Sequence, residues 1–301
     1  MKRLLFIFNP HSGTGKIRER LAEVLDIFTK AGYEVVAYPT QATGDGMKKV
    51  LAEGNGFDRI VVAGGDGMLN ELINGVMQLE KEVTVGYIPT GTVNDFARSH
   101  NIPKNIMEAA KIAASDNVKA MDVGKFGDTY FAYVAAFGVA TNVSYDTKQK
   151  AKNHWGFLAY LANFLKCLGP NRLKRACRRI RVRADGNTFS GELALGLISN
   201  SHSVGSVPIL VDKEVVLDDG RLECLFIARP KNLKEWMQLR RNLQSHDFST
   251  SELTFVRAEK IEIFMRKPAA WTLDGENGGE HSHVLISAKQ RALKIALPEE
   301  K

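Results

Sequence analysis

Residues 59–79 read as a strand that runs into a glycine turn and out again as a helix. Arg59-Ile60-Val61-Val62 is an apolar run, Ala63-Gly64-Gly65-Asp66-Gly67 follows, and Leu69, Leu72, Ile73, Val76 and Leu79 then fall on one helical face. Glycines in such a turn take backbone angles closed to other residues and let a ligand approach the main chain. The helix start offers free N–H groups and partial positive charge, which suit a phosphate. The same residues would serve an ordinary strand-to-helix turn, but Asp66 sits awkwardly there. It would repel bare phosphate, so a divalent cation is the natural third party.

The first half of the chain alternates in the same way. Strands are expected at 4–8, 33–38 and 83–88, and helices at 17–30, 46–52 and 106–114. Strands alternating with helices give a parallel sheet covered on both faces, whose ligands sit beyond the carboxyl ends of the strands. From about residue 120 the pattern changes to strands at 121–126, 129–136, 178–184, 189–199, 222–228, 253–256 and 260–265, with glycine turns between many of them. That is mostly antiparallel β structure, interrupted by helical segments near 151–168 and 231–245. The expected division is an α/β domain over 1–120 and a β-sandwich domain over 121–285, with the tail at 286–301 returning to the first.

The 301 residues are 44% hydrophobic and 25% charged, enough for two cores of ordinary soluble composition. No apolar run reaches the roughly 18–20 residues that a membrane-spanning helix needs. The run at 4–8 is too short for a signal-peptide core and reads as a first strand. Cys167, Cys177 and Cys224 show no metal-ligand spacing, and their scatter suits a reducing cytoplasm.

Two more strand ends carry polar turns. Asn9-Pro10-His11-Ser12-Gly13-Thr14-Gly15-Lys16 has small residues and hydroxyls before a helix, without the spacing of a Walker A loop. It can contact a nucleotide or simply cap the helix, and Lys16 reads as a solvated helix-start residue. Pro89-Thr90-Gly91-Thr92-Val93-Asn94-Asp95-Phe96-Ala97 ends the next strand, at the same sheet edge as Asp66. Near the C-terminus, Leu273-Asp274-Gly275-Glu276 combines a hairpin turn with paired carboxylates, which suit a base for a hydroxyl nucleophile and a metal-holding partner.

These stretches together resemble the diacylglycerol kinase catalytic family, in particular its bacterial soluble lipid kinases. The matches are Asn9-Pro10 with Ser12-Gly13, Gly64-Gly65-Asp66-Gly67 with Asn70-Glu71, Pro89-Thr90-Gly91-Thr92 with Asn94-Asp95-Phe96-Ala97, and Leu273-Asp274-Gly275-Glu276, in order over nearly the whole chain. The resemblance implies an α/β nucleotide-binding domain of the phosphofructokinase and NAD kinase type followed by a β-sandwich. It implies phosphoryl transfer from ATP, with Mg²⁺, to a lipid hydroxyl. Asn9, Ser12, Gly13, Thr40, Gly65, Asp66, Gly67, Met68, Leu69, Asn70, Glu71, Thr92, Asn94 and Asp95 are then expected at the nucleotide. Glu276, Asp66 and Asp274 are the expected catalytic acids. Glu276 takes the role of proton acceptor, although some relatives give that role to the residue at the position of Asp66. A second, structural Mg²⁺ is implied at Asp219, with the carbonyls of Val216 and Arg221. Two positions depart from the family: Met68 stands where it has threonine, and residues 204–210 lack its usual glycine-rich wording.

Charge points to a partner. Between Lys148 and Arg183 lie eleven Lys and Arg and no acid, so this segment is +11 and the remainder −4, making the net +7. A basic segment on a slightly acidic body implies an anionic surface. The apolar stretch 155–168 inside it is either a buried helix or an element that inserts shallowly into anionic lipid. The expected setting is cytoplasmic, at the inner membrane face. Nucleic acid fits less well, since the segment carries no RNA-binding aromatic motif. The rival readings are an NAD kinase-like enzyme with a soluble acceptor, and a sensor that kept the fold without the activity. Nothing in the sequence fixes an oligomeric state.

Overall fold

The computed structural model describes residues 1–13, 15–92, 94–138, 177–201, 216–245 and 252–299. The expected helix at 151–168, the loop 204–210 and most of the basic segment lie outside these. The chain divides into two compact units, one of residues 1–121 with 291–301 and one of residues 122–290.

The first unit is built on β1 (Lys2–Phe8), β2 (Tyr33–Pro39), β3 (Arg59–Gly64) and β4 (Thr84–Pro89). β1 pairs in parallel with both β2 and β3, and β3 pairs in parallel with β4. Leu4, Leu5, Phe6, Ile60, Val61, Val62 and Ala63 are fully buried, which requires cover on both faces of the sheet. α2 (Leu21–Lys30) and α6 (Ile106–Ala114) pack on one another, as do α3 (Asp45–Glu53) and α4 (Asp66–Val76). α6 starts on the Asn105 side chain, which accepts from the N–H groups of Met107 and Glu108. The single helix expected over 17–30 is broken at Arg20 into α1 (Lys16–Glu19) and α2. α5 (Asp95–Ser99) is a short helix after β4.

The second unit is antiparallel. β5 (Val118–Phe126) leads in from the first unit and pairs with β6 (Thr129–Phe131). β7 (Val134–Gly138), β8 (Arg178–Ala184), β9 (Asn187–Ser199) and β10 (Leu222–Ala228) follow. After α7 (Leu233–Ser245) come β11 (Leu253–Ala258), β12 (Lys260–Leu273) and β13 (Glu276–Ala296). β12 runs on to Leu273, well past the expected end at 265, and β13 carries the chain back into the first unit.

The two layers of this unit are not separate sheets. β9 pairs with β8 at its start and with β7 at its end, and β12 does the same, so these four strands close a ring. Strands that switch layers through an irregularity make the corners; in β12 the register against β13 shifts between Phe264 and Ala269. The core includes Phe137, Ile180, Val182, Phe226, Ile261 and Ile263. Trp271 is fully buried there, 4.9 Å from the Phe126 ring and 4.8 Å from the Phe137 ring. Burying an aromatic of that size contributes roughly 2–3 kcal/mol.

Candidate active site

Three turns of the first unit meet at the carboxyl ends of β1, β3 and β4. The Gly64 carbonyl, at the end of β3, accepts the N–H of Thr90 at 2.9 Å and of Gly91 at 3.2 Å. The Tyr87 hydroxyl lies 3.3 Å from the same carbonyl and 3.2 Å from Asn94 Oδ1, so one buried side chain ties both turns. Asn94 takes a left-handed conformation, φ 53°, and its Nδ2 donates to the Gly91 carbonyl at 2.7 Å. Gly91 has no room for a side chain: a Cβ there would lie 2.5 Å from Gly65 Cα. A Cβ on Gly13, after β1, would lie 2.1 Å from the Thr90 carbonyl oxygen. The glycines therefore let three stretches of main chain touch.

The Asp66 carboxylate opens α4 and reaches the start of α5. It accepts from the N–H groups of Asp95 at 3.2 Å and Phe96 at 3.3 Å. Burial raises its pKa above the carboxylate norm, against the lowering effect of those N–H groups. Asp95 is pushed up to about 6, first by burial and then by the charge of Asp66; Arg98, 3.8 Å away, pulls the other way. Asp95 Oδ1 is buried without a hydrogen-bond partner. Two carboxylates crowded together, one with an orphaned oxygen, form a donor set that fits a divalent cation.

Beside these turns lies a cavity of about 150 Å³, lined in part by Ser12, Gly91, Thr92, Asn94, Lys16 and Lys104. The Thr90 hydroxyl, also in its wall, is buried without a partner. Hydroxyls, backbone and two lysines suit a polyphosphate. Lys16 is an exposed residue at the start of α1 that also borders this cavity, and Lys104 carried no sequence signal at all, being one lysine on a loop.

Other expected residues have different surroundings. Asn9 Oδ1 accepts the His11 N–H at 2.8 Å and so shapes its own turn. Thr40 is buried, its N–H and hydroxyl both directed at the Phe8 carbonyl, at 2.9 and 3.4 Å. Leu69 is a core side chain, and Asn70 accepts from Asn74 Nδ2. Gly67 is the second residue of α4. The Glu71 carboxylate accepts the N–H groups of Gly44 at 2.7 Å and Gly46 at 3.1 Å, which makes it an anchor for the start of α3. Met68 packs against Gly64, where a Cβ would meet its own Cβ at 2.4 Å.

In the second unit, Asp274 and Gly275 form the hairpin turn between β12 and β13, with φ 51° and 86° and Leu273 paired to Glu276. Asp274 has a structural task in this turn. It is buried, and its carboxylate accepts three backbone N–H groups, from Ala132 at 2.6 Å and from Tyr133 and Val134 at 3.0 Å. Glu276, next but one, is exposed. Asp219 accepts the N–H of Arg221 at 2.9 Å, and Val216 and Arg221 are exposed. The neighbouring loop is closed by Asp122, whose Oδ2 accepts the Gly220 N–H at 2.6 Å and whose N–H donates to the Leu217 carbonyl at 2.8 Å. Among the described residues no group of three or more His, Cys, Asp or Glu is arranged to hold a metal. Nor is any helix among them long and apolar enough to cross a membrane.

The three turns of the first unit fall inside a match to the family model of the diacylglycerol kinase catalytic domain, which spans residues 3–126. The similarity does not stop there. The chain is 32% identical to a diacylglycerol kinase of Bacillus subtilis (strain 168), over 100% of this chain and 98% of that protein. The chain belongs to the diacylglycerol kinase family. A family member from Staphylococcus carnosus (strain TM300) is 33% identical, with 99% of this chain and 96% of that one covered. The crystal structure of a diacylglycerol kinase from Bacillus anthracis str. Sterne has the same fold, with a TM-score of 0.81 at 25% identity over 99% of this chain and 97% of that one. The family model covers the three turns, whereas Asp274 and Glu276 are covered only by the full-length relatives.

Proposed function

We propose that this chain is a lipid kinase that moves the γ-phosphate of ATP to a hydroxyl of a diacylglycerol-like lipid. The observation that carries this is the meeting of Gly65, Asp66, Gly91 and Asn94 at one sheet edge in a chain with full-length diacylglycerol kinase relatives. In this reading the backbone of these turns, with Ser12 and Thr92, holds the nucleotide, and Lys16 and Lys104 balance its phosphate charge. Asp66 and Asp95 are the residues that would hold Mg²⁺, which when bound with ATP offsets the charge on the phosphate oxygens. Asp219, with the carbonyls of Val216 and Arg221, is the proposed place for the structural cation.

The lipid oxygen attacks the γ-phosphorus, the bond to the bridging oxygen breaks, and ADP leaves. The hydroxyl proton passes to Glu276, an exposed carboxylate held at the start of β13 by the hairpin turn. Orientation and electrostatic complementarity supply most of the acceleration. The basic segment 148–183 is proposed to hold the enzyme at the anionic cytoplasmic face of the membrane, where its substrate lies. The test uses labelled ATP, an extracted lipid mixture and Glu276→Gln. Turnover should vanish while ATP affinity is kept. Full turnover in the variant removes Glu276 as the base, and absence of any labelled lipid with the native chain removes the lipid-kinase reading.

A further inference from the structure

β8 carries four arginines in seven residues, and the two ends of the strand differ in how those charges are met. At one end Arg183 pairs with Glu262 at 3.1 Å, and Glu262 also meets His283 at 2.9 Å. At the other end Arg178 and Arg179 line a cavity of about 530 Å³ together with Cys177 and with Arg266 and Lys267 of β12. The pairing brings them together. The β8–β12 pairing ends at Ile180 with Met265, and Arg178, Arg179, Arg266 and Lys267 are the residues just beyond that last pair. The register shift of β12 against β13 spans Arg266 and Lys267 and frees them from the regular ladder, as strand irregularities do where a side chain is re-aimed.

Among the described residues no acid lines this cavity, and Arg179, Arg266 and Lys267 form no ion pair there. Cys177 adds no negative charge: burial pushes its thiol up to about 11, so it stays protonated at neutral pH. Arg179, Arg266 and Lys267, held around one open space, repel each other, and an anion relieves that repulsion. Guanidinium groups match the oxygens of a phosphate in paired hydrogen bonds. The geometry points to a second anion site, built from β8 and β12, that takes a phosphate-bearing ligand: a free phosphoanion or the headgroup of an anionic phospholipid. It does not rest on the kinase reading, because none of these residues belongs to the nucleotide turns.

Lysine acetylation read by mass spectrometry tests it on the native chain, with pyrophosphate, phosphatidylglycerol vesicles and phosphatidylcholine vesicles as probes. Protection of Lys267 by pyrophosphate alone identifies a free phosphoanion site. Protection by phosphatidylglycerol vesicles, with phosphatidylcholine without effect, identifies a headgroup site. In either case Arg266→Gln with Lys267→Gln should weaken binding of that probe at least ten-fold in calorimetry or co-sedimentation, and Lys30→Gln, at a surface lysine of the first unit paired with Asp26, should leave it within two-fold. Unchanged Lys267 acetylation with every probe overturns the proposal. So does an equal loss in Lys30→Gln, which would make the effect one of general charge.

Discussion

The carboxylate of Asp66, at the start of α4, accepts the backbone N–H of Asp95, at the start of α5, at 3.2 Å. One acid thus ties together the turns after β3 and β4 and at the same time raises the pKa of the other. The acid that looked out of place in a phosphate turn is what sets the spacing between two turns.

That spacing leaves Gly91 no latitude. A methyl group there would lie 2.5 Å from Gly65 Cα and 2.7 Å from Asn94 Oδ1, so Gly91→Ala must push the turns apart. Overpacking of this kind costs about 1–3 kcal/mol. The expected outcome is a folded protein that has lost most of its affinity for ATP, measured by calorimetry beside a urea melt. Unchanged affinity would mean that the nucleotide does not need these turns in contact.

Asp274 and Glu276 should fail in different ways. Removing the Asp274 charge leaves the N–H groups of Ala132, Tyr133 and Val134 poorly met, so Asp274→Ala is expected to lower stability by about 2–4 kcal/mol in urea unfolding. Glu276→Gln, on an exposed side chain, should leave the unfolding midpoint where it was.

Glu223 predicts a pH dependence. It is 1% exposed on β10, and its pKa is pushed up to about 7 by burial, with the charges of Asp219 and Asp122 adding to this and Arg257 opposing it. Both its oxygens lack hydrogen-bond partners. An acid raised in the folded state from 4.5 to about 7 contributes stability that is complete below 4.5 and is lost as the pH rises through 7. Thermal melts should therefore show stability falling between about pH 5 and 8, and Glu223→Gln should flatten that slope. A variant that keeps the full slope would place the titration elsewhere.

Met68→Thr introduces the hydroxyl that the resemblance implies at this position of the turn. Here the methionine covers Gly64 and approaches Gly46, so its loss should cost about 1–2 kcal/mol in urea unfolding. ATP affinity is expected to stay the same if the turn acts through its backbone, and a tighter complex in calorimetry would show that a hydroxyl is used there.

The turns were legible in the sequence because each combines glycine with a hydroxyl or acid at the end of an apolar strand, and local chemistry of that kind does not depend on tertiary context. α6 was legible for the same reason, with Asn105 capping a periodic run. What could not be read depends on which residues meet. Asp274 reads as one of two paired carboxylates in a line of letters, and its three N–H partners lie far off in sequence, in the bend between β6 and β7 and at the start of β7. Tyr87 reads as one more apolar strand residue, although its hydroxyl joins two turns. Arg266 and Lys267 belong to the same cavity as Arg178 and Arg179 through pairing across some ninety positions of sequence.

The end of β13 returns to the first unit, where Lys294 and Ile295 pair in parallel with Thr84 and Val85, and Asn117 and Leu297 exchange hydrogen bonds. During synthesis, then, the unit that leaves the ribosome first is the last to be completed. Until its final dozen or so residues emerge, β4 has an open edge, the kind of surface on which nascent chains pair wrongly. The order of the chain thus makes the turns after β3 and β4 wait for the end of β13, and a chain that stopped short of it would expose that edge without gaining a finished sheet.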